Sequence, residues 1–297
     1  MKVMRKLPTL VIGLLLAPAV LAAVPELCGE CRAEKFASCG GLLEGLAVDK
    51  DGGLWAVDLK SGKVYLFGDK GECRERGNTG GQPNGAKFGP DGMLWIADKQ
   101  KGLLKMDTRT GLVTPVLNSF HNEQLRGLND LVFDKKGGVY FTEPYGSTAL
   151  KPDGRLFYLP PGKDARLQLV QDGLAFPNGV VITNDGENLL VGEFALKRIT
   201  SLVAPDSTNL FEFPLVVVTT QGGYGPDGML MRPDGILLAA NFRAGEVLAF
   251  DAARRPMGSI RLPPEAGLDT TNVAIRSGWL YITEGDKGEI WRVRLTK

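Results

Sequence analysis

The chain has 297 residues, and its 35 Lys and Arg against 34 Asp and Glu leave a net charge of +1. This balance argues against a nucleic-acid-binding protein, which usually carries a basic excess, and a hydrophobic content of 43% excludes a disordered chain. The 39 glycines are about twice the usual share of ~7%, so many tight turns between short strands are expected. The single histidine excludes any mechanism that needs several imidazole groups.

Residues 1–23 have the composition of a secretory signal peptide. Basic residues within the first six positions precede the apolar stretch Leu7–Leu21, and small residues offer cleavage after Ala22 or Ala23. A membrane anchor fits less well, because the apolar stretch is shorter than the ~20 residues that span a bilayer. The sequence therefore predicts one mature domain over residues 24–297, which is secreted or periplasmic and has no membrane contact after cleavage.

Four cysteines lie early in the predicted mature chain, at Cys28, Cys31, Cys39 and Cys73. An even number in an oxidising compartment predicts two disulfides, and all three pairings remain open at this point. Cys28 and Cys31 could instead form a redox pair or half of a zinc site. No second Cys-x-x-Cys and no nearby histidine supports that alternative.

The rest of the chain repeats one pattern six times. Each copy has a short apolar strand, a turn containing a polar residue and glycine, a second strand that ends in a polar residue, and a third strand. A more polar fourth segment follows in the first five copies. The copies begin 40 to 49 residues apart, at Gly45, Gly85, Asp130, Gly179, Gly228 and Asn272. About 45 residues and four strands per repeat are typical of a β-propeller blade, so the sequence predicts an all-β, six-bladed propeller.

The sixth copy reaches the C-terminus after three strands. The N-terminal segment from Ala33 to Ser38 can supply its missing outer strand, which would close the ring by pairing the two ends of the chain. Closure removes the open sheet edges that a linear array would expose.

The residue that precedes each first strand is expected to face the central channel. These positions hold Glu44, Asn84, Asn129, Asn178, Asp227 and Thr271. Five of the six carry carboxylate or amide oxygens, which predicts a central cation site; the alternative is that they only shape turns. Oxygen donors without His or Cys favour calcium (Ca²⁺) or Mg²⁺, and Mn²⁺ or Zn²⁺ remain possible. Glu44 and Asp227 match the charge of a divalent ion.

A second polar ring lies at the ends of the second strands. Its members are Asp58, Asp98, Glu143, Glu193, Asn241 and Glu284. These residues could line the rim of a pocket, with Glu143 and Tyr145 the best candidates, or could simply bind backbone amides and solvent.

Several short motifs resemble one known family. They are Leu43-Glu44-Gly45, Leu128-Asn129-Asp130, Tyr140-Phe-Thr-Glu143, Phe176-Pro-Asn178-Gly179 and Pro226-Asp227-Gly228. In this order on matching blades, they resemble the family of senescence marker protein, gluconolactonase and luciferin-regenerating enzyme, which includes diisopropyl fluorophosphatase and the staphylococcal drug-responsive lactonase. The resemblance implies a six-bladed propeller with a divalent cation, often Ca²⁺, bound by Glu44, Asn129, Asn178 and Asp227. It also implies hydrolysis of lactones or, in some members, of phosphotriesters or fluorophosphates.

The substrate pocket departs from the sugar-lactonase members of that family. Leu46 replaces the proline of their Glu-Gly-Pro motif, and their substrate-binding arginine two residues before the channel asparagine is absent. Arg126 lies three residues before Asn129, one position earlier than the arginine of those members. The predicted substrate-binding residues are Asn84, Arg126, Glu143, Tyr145 and Tyr224.

The sequence therefore predicts a metal-dependent lactonase that acts as a monomer on a small-molecule lactone or ester substrate and has no nucleic-acid partner. Asp227 and Glu44 are the predicted catalytic residues, and Asp227 would act as general base towards water or as direct nucleophile. A phosphotriester hydrolase at the same ion is one alternative. The other is a non-catalytic ligand-binding propeller with a structural Ca²⁺.

Overall fold

A computed structural model describes residues 24–205, 207–208 and 213–296, and the predicted signal peptide lies outside these ranges. Within them the chain forms six antiparallel sheets of four strands each. The strands of blades 1 to 3 are Leu43–Val48, Leu54–Asp58, Lys63–Phe67 and Cys73–Asn78; Pro83–Phe88, Leu94–Asp98, Gly102–Asp107 and Leu112–Leu117; and Leu131–Phe133, Val139–Glu143, Gly154–Leu159 and Gln168–Leu174. Those of blades 4 to 6 are Pro177–Ile182, Asn188–Glu193, Arg198–Val203 and Leu215–Thr219; Gly225–Met231, Leu237–Phe242, Glu246–Phe250 and Pro256–Arg261; and Thr270–Arg276, Trp279–Glu284 and Glu289–Arg294, with Ala33–Ser38 as the fourth strand.

The predicted ring closure is confirmed. Ala33–Ser38 pairs antiparallel with Glu289–Arg294, so the N-terminal strand completes the last blade. Lys35 and Glu289 form an ion pair across this junction at 2.6 Å. The six-bladed propeller predicted from the repeats is therefore the observed fold.

The hydrophobic core lies mainly between neighbouring blades. Trp55 and Val57 of blade 1 pack with Leu94 and Ile96 of blade 2, for example, in one cluster of buried side chains. Each second strand contributes buried residues on both of its faces, as in Leu54–Asp58, because each sheet is covered by a blade on either side. A propeller thus buries whole strands without any long helix. Among the residues that the structure describes, no helix has both the length and the apolar character to cross a bilayer.

The cysteine pairing that the sequence left open is resolved. Cys28 and Cys31 form one disulfide within and just after the short helix Pro25–Cys28, and Cys39 and Cys73 form the other. The helix packs through Leu27 against blades 5 and 6. The second bridge joins the segment after the closing strand to the outer strand of blade 1. The second bridge therefore fastens the N-terminal segment to the ring, whereas the first lies within that segment.

Candidate functional site at the start of the inner strands

In five of the six blades the first strand carries a bulge at its channel residue. The pairing of the first two strands shifts register between Glu44 and Ala47 in blade 1, and equivalent shifts occur in blades 2, 4, 5 and 6. In blade 3, Asn129 and Asp130 are instead held by backbone hydrogen bonds with Thr142, just before the strand begins. Bulges redirect side chains at sheet ends. Here they bring the channel positions towards one another.

The residue after each channel position sits against the next blade. Four of these positions are glycine, and a side chain at Gly45 would collide with the Asn84 carbonyl oxygen, as one at Gly179 would with that of Asp227. Blade 3 instead has Asp130, whose buried carboxylate accepts hydrogen bonds from the N–H groups of Leu131 (2.9 Å) and Val180 (3.2 Å). The inner strands can therefore approach closely enough to converge on one small cavity.

This cavity has a volume of about 210 Å³ and opens at the start of the inner strands. Its floor consists of five of the six channel residues: Glu44, Asn84, Asn129, Asn178 and Asp227. The sixth, Thr271, is fully buried and donates a hydrogen bond to the Leu43 carbonyl (2.8 Å), which links blade 6 to blade 1. The structure thus brings together the four predicted metal ligands and Asn84. Thr271 does not line the cavity and instead joins blade 6 to blade 1.

The two acids in the cavity floor, Glu44 and Asp227, both have raised pKa values. Burial, and next the charge of Asp130, raises the pKa of Asp227 to about 8, while Lys99 and a hydrogen bond from Asn178 oppose this. Burial and the charge of Asp227 likewise raise the pKa of Glu44 well above its ordinary value. A buried carboxylate without a compensating partner disfavours its charged form. The site therefore lacks positive charge that would keep both acids ionised, and a bound cation would supply it.

The donor set fits a hard divalent cation. The Oδ1 atom of Asn178 is buried and has no hydrogen-bond partner within the structure, so it has an oxygen lone pair available for a ligand. Two carboxylates and two amides supply only oxygen, which suits Ca²⁺ or Mg²⁺. A cluster of three or more His, Cys, Asp or Glu is absent from the described part of the chain, so any cation here depends on the amide oxygens as well.

The second polar ring holds the loops that surround this cavity. In every blade its residue bonds the backbone of the loop that enters that blade. The Asp58 Oδ1 atom accepts from Leu42 N (2.9 Å) and the Glu193 Oε2 atom accepts from Ala175 N (3.0 Å), with equivalent acceptors at Asp98, Glu143 and Glu284. In blade 5 the Asn241 amide instead donates to the Gln221 carbonyl (3.0 Å). Several members also bind the loop after their own strand, as Asp98 does through the N–H groups of Gln100 and Lys101. This ring matches the backbone-binding alternative derived from the sequence.

Four predicted substrate-binding residues lie outside the cavity lining. Glu143 is buried in an ion pair with Arg155 (2.5 Å) and accepts from Arg126 N (2.8 Å). The Arg126 guanidinium lies over the Tyr145 ring, 4.5 Å from its centre, and Tyr145 is 57% exposed. Tyr224 is 59% exposed. Their substrate role stays a prediction, and only Asn84 of the predicted set contacts the cavity directly.

The remaining cavity residues were missed by the sequence reasoning. Leu59, Lys99, Phe194 and Phe242 each directly follow a member of the second polar ring, and Leu42 and Phe176 each lie two residues before a channel residue. The same alignment of repeats could have found them by reading one position beyond the polar ring. His121 is exposed and stacked on Phe120, with ring centres 4.0 Å apart, and it does not line the cavity.

Three phenylalanines form one wall of the cavity. Phe194 lies between Phe176 and Phe242, with ring centres 5.4 and 5.8 Å away. Phe176 has a backbone φ of +54°, a conformation that is rare for a bulky residue and costs about 1–3 kcal/mol. Hydrogen bonds from its N–H to Ser147 Oγ (3.0 Å) and from Phe194 N–H to its carbonyl (3.1 Å) hold it there.

Known proteins resemble this chain in sequence and in fold. A gluconolactonase from Zymomonas mobilis is 33% identical over 187 residues, which are 57% of this chain and 51% of the relative, so the match spans about half of that relative's length. The lactonase drp35 of Staphylococcus haemolyticus is 26% identical over 77% of this chain and 72% of its own.

Two solved structures share the propeller. A gluconolactonase from Xanthomonas campestris superposes with a TM-score of 0.80 at 21% identity, covering 93% of each chain. A calcium-binding protein, regucalcin, from Agrobacterium tumefaciens has a TM-score of 0.70 at 18% identity, covering 88% of this chain and 95% of that one. At these identities the structural likeness shows the fold alone.

The family assignment rests on a longer match. The model described as the SMP-30/gluconolactonase/LRE-like region matches residues 42–286, which include five complete blades, the first two strands of the sixth and every residue of the cavity. The chain belongs to the SMP-30/gluconolactonase/LRE-like family.

Proposed function

We propose that this chain is a lactone hydrolase whose active site is the cavity at the start of the inner strands, with a divalent cation, expected to be Ca²⁺, at its floor. The observation that carries the proposal is the convergence of two buried carboxylates with the unpaired Asn178 oxygen in an open cavity. Family membership supports the same reaction, since relatives are named gluconolactonase and lactonase.

The residues that would hold the cation are Glu44, Asn129, Asn178 and Asp227. When bound, the ion would polarise the lactone carbonyl and stabilise the negative charge that develops on its oxygen. Four protein ligands leave coordination positions for water and substrate, as a catalytic ion requires. A purely structural ion would not need an open cavity beside it.

Asp227 has two possible roles in ring opening. As general base its carboxylate accepts a proton from the attacking water, and as nucleophile it attacks the carbonyl carbon itself and is released by water afterwards. Either role requires the ionised carboxylate, which burial disfavours and a nearby cation restores. Glu44 lies on the same floor, and its carboxylate would help to balance the charge of the ion. Asn84 lines the same cavity and would donate a hydrogen bond to a substrate oxygen.

Export from the cytoplasm is part of the proposal. The two disulfides are typical of proteins from oxidising compartments, which agrees with a secreted or periplasmic protein. A monomer remains the expected state, because the ring pairs its own ends.

The test is hydrolysis of a panel that contains aldonolactones, aromatic lactones and one fluorophosphate by the mature protein. Each compound is assayed after chelation, with and without added Ca²⁺, for the unsubstituted protein, Asp227→Asn, and the exposed-turn control Asp51→Asn. Lactone turnover that returns with Ca²⁺ and is lost only in Asp227→Asn supports the proposal. Turnover of the fluorophosphate alone replaces it with the phosphotriesterase alternative, and turnover that is indifferent to chelation contradicts the metal site.

A further inference from the structure

One repeat position gives the cavity its chemical character. The residue that directly follows the member of the second polar ring is Leu59 in blade 1, Lys99 in blade 2, Phe194 in blade 4 and Phe242 in blade 5, and all four line the cavity. Inner strands of consecutive blades contact one another around the ring, so blade 2 lies opposite blade 5. A lysine and an aromatic wall therefore face each other across the channel axis.

The aromatic side lines the cavity with three phenylalanine side chains. Phe176, Phe194 and Phe242 form a continuous wall, and the partly exposed Tyr224 extends it outwards, with its ring 6.2 Å from Phe242. Leu42 and Leu59 add apolar surface on blade 1. A sugar lactone carries hydroxyl groups around its ring, and burying them against such a wall leaves hydrogen bonds unmade. A flat apolar ring has no hydrogen bonds to lose against this wall, and it can stack on the phenylalanine rings.

Lys99 is the one basic side chain that lines the cavity. None of the hydrogen bonds and ion pairs found in the described ranges involves its Nζ atom, although its charge acts on Glu44 and Asp227. The residue is half-buried, at the end of a strand whose last residue, Asp98, binds the N–H groups of the next two loop residues. Its charge is thus presented on a fixed loop, with no committed partner.

On the basis of the proposed function, we infer that the substrate is a lactone with an apolar ring-containing body and an anionic substituent. The body packs on the wall of Phe176, Phe194 and Phe242, and the anionic group pairs with Lys99 on the opposite side. Lys99 is then a specificity-determining residue rather than a counter-ion of the floor acids. Once a divalent ion balances Glu44 and Asp227, the lysine charge is left for the substrate.

The test uses two matched aromatic lactones and one sugar lactone. They are 3,4-dihydrocoumarin, the same compound with a carboxylate on its benzene ring, and glucono-δ-lactone, each assayed in Ca²⁺. The variants are Lys99→Met and the control Lys101→Met, which removes an exposed lysine from the same loop. We expect Lys99→Met to lower kcat/KM for the carboxylated lactone about tenfold to a hundredfold, and that for the neutral one by less than about threefold.

Three outcomes would overturn the inference. Equal losses on both aromatic lactones would make Lys99 part of the general electrostatics of the site. Equal losses in Lys99→Met and Lys101→Met would make the effect non-local. A clear preference of the unsubstituted protein for glucono-δ-lactone would exclude the apolar-bodied substrate.

A binding measurement separates this inference from the proposed function. The lactam analogues of the two aromatic compounds resist hydrolysis and are titrated by calorimetry into the same variants, with Ca²⁺ and after chelation. If no lactone is hydrolysed, the proposed reaction fails. Tighter binding of the carboxylated lactam that is lost only in Lys99→Met would still support the binding mode, and equal affinity for both lactams would end it.

Discussion

Two rings of buried polar residues lie on the same six blades, and they differ in what they bind. The second polar ring, from Asp58 to Glu284 and here called the outer ring, binds the backbone of the surrounding loops in every blade. Two of its oxygens, Asp98 Oδ2 and Asn241 Oδ1, lack a hydrogen-bond partner among the described residues, but neither residue lines the cavity. The inner ring leaves the Asn178 oxygen unpaired and gathers two carboxylates whose pKa values are raised. Within the outer ring the pKa values shift in both directions: hydrogen bonds from Arg198, Ala175 and Thr200 outweigh burial and lower the pKa of Glu193, whereas burial raises that of Glu284.

The two rings therefore do different work: the outer ring positions loops, and the inner ring is available to bind a cation. A buried carboxylate that accepts several hydrogen bonds stabilises the loops around it, whereas one that repels its neighbour favours any cation that arrives. Both rings look alike in the sequence, as acids and amides at one repeat position. Their hydrogen-bond partners and their access to the cavity distinguish the two rings.

The largest expected effect is on turnover when the inner ring loses a charge. Asp227→Asn keeps the size of the side chain but removes the base or nucleophile, so kcat/KM for a lactone should fall about 10²–10⁴-fold. Circular dichroism should show an unchanged fold. Retained turnover in the folded variant would remove Asp227 from the mechanism.

Cation affinity should depend steeply on pH. Without a cation the raised pKa of Asp227, about 8, keeps its carboxyl protonated at neutral pH, so binding must displace that proton. Below pH 8 the affinity should therefore rise about tenfold per pH unit, or about 100-fold from pH 6 to 8, and level off above. Calorimetric Ca²⁺ titrations across this range check the slope, and a flat profile would contradict the protonated apo-site.

Loss of charge in the outer ring should affect stability more than activity. Glu143→Gln removes the ion pair with Arg155, whose guanidinium is partly exposed, so the free energy of unfolding should fall by about 1–3 kcal/mol. Turnover per folded molecule should change less than about tenfold. A loss of turnover at unchanged stability would instead favour the substrate contact that the sequence predicted for Glu143.

The smallest expected effect is at the sixth channel position. Thr271→Val removes a hydroxyl that bonds the Leu43 carbonyl but does not line the cavity, so a loss of about 1 kcal/mol in stability and no change in kcat/KM are expected. Chemical denaturation and steady-state assays measure the two quantities. A marked change in KM would place Thr271 in the site after all.

The sequence was sufficient for the fold because the repeat is visible in it. Turn glycines and alternating strands mark each blade, and the incomplete last copy pointed to Ala33–Ser38 as the closing strand. The five channel residues could also be aligned, because symmetry places equivalent positions at one axis. These predictions depended only on the spacing of local patterns.

The rest required three-dimensional contacts. This repeat position holds a leucine, a lysine or a phenylalanine in the blades that line the cavity, so no residue type marks it. The role of Glu143 depends on Arg155 and on a backbone N–H, neither of which a sequence pattern specifies. The pairing of Cys39 with Cys73 likewise follows from the closing strand lying beside blade 1.

The most direct test of the contrast between the rings is calorimetric Ca²⁺ titration of the chelated protein and of two variants, Glu44→Gln and Glu143→Gln, at pH 8. The two substitutions are chemically identical, and each removes one buried carboxylate from one ring. We expect one Ca²⁺ to bind to the unsubstituted protein and to Glu143→Gln with similar affinity, and binding to be lost in Glu44→Gln. Binding that survives in Glu44→Gln and disappears in Glu143→Gln would contradict a cation site in the inner ring.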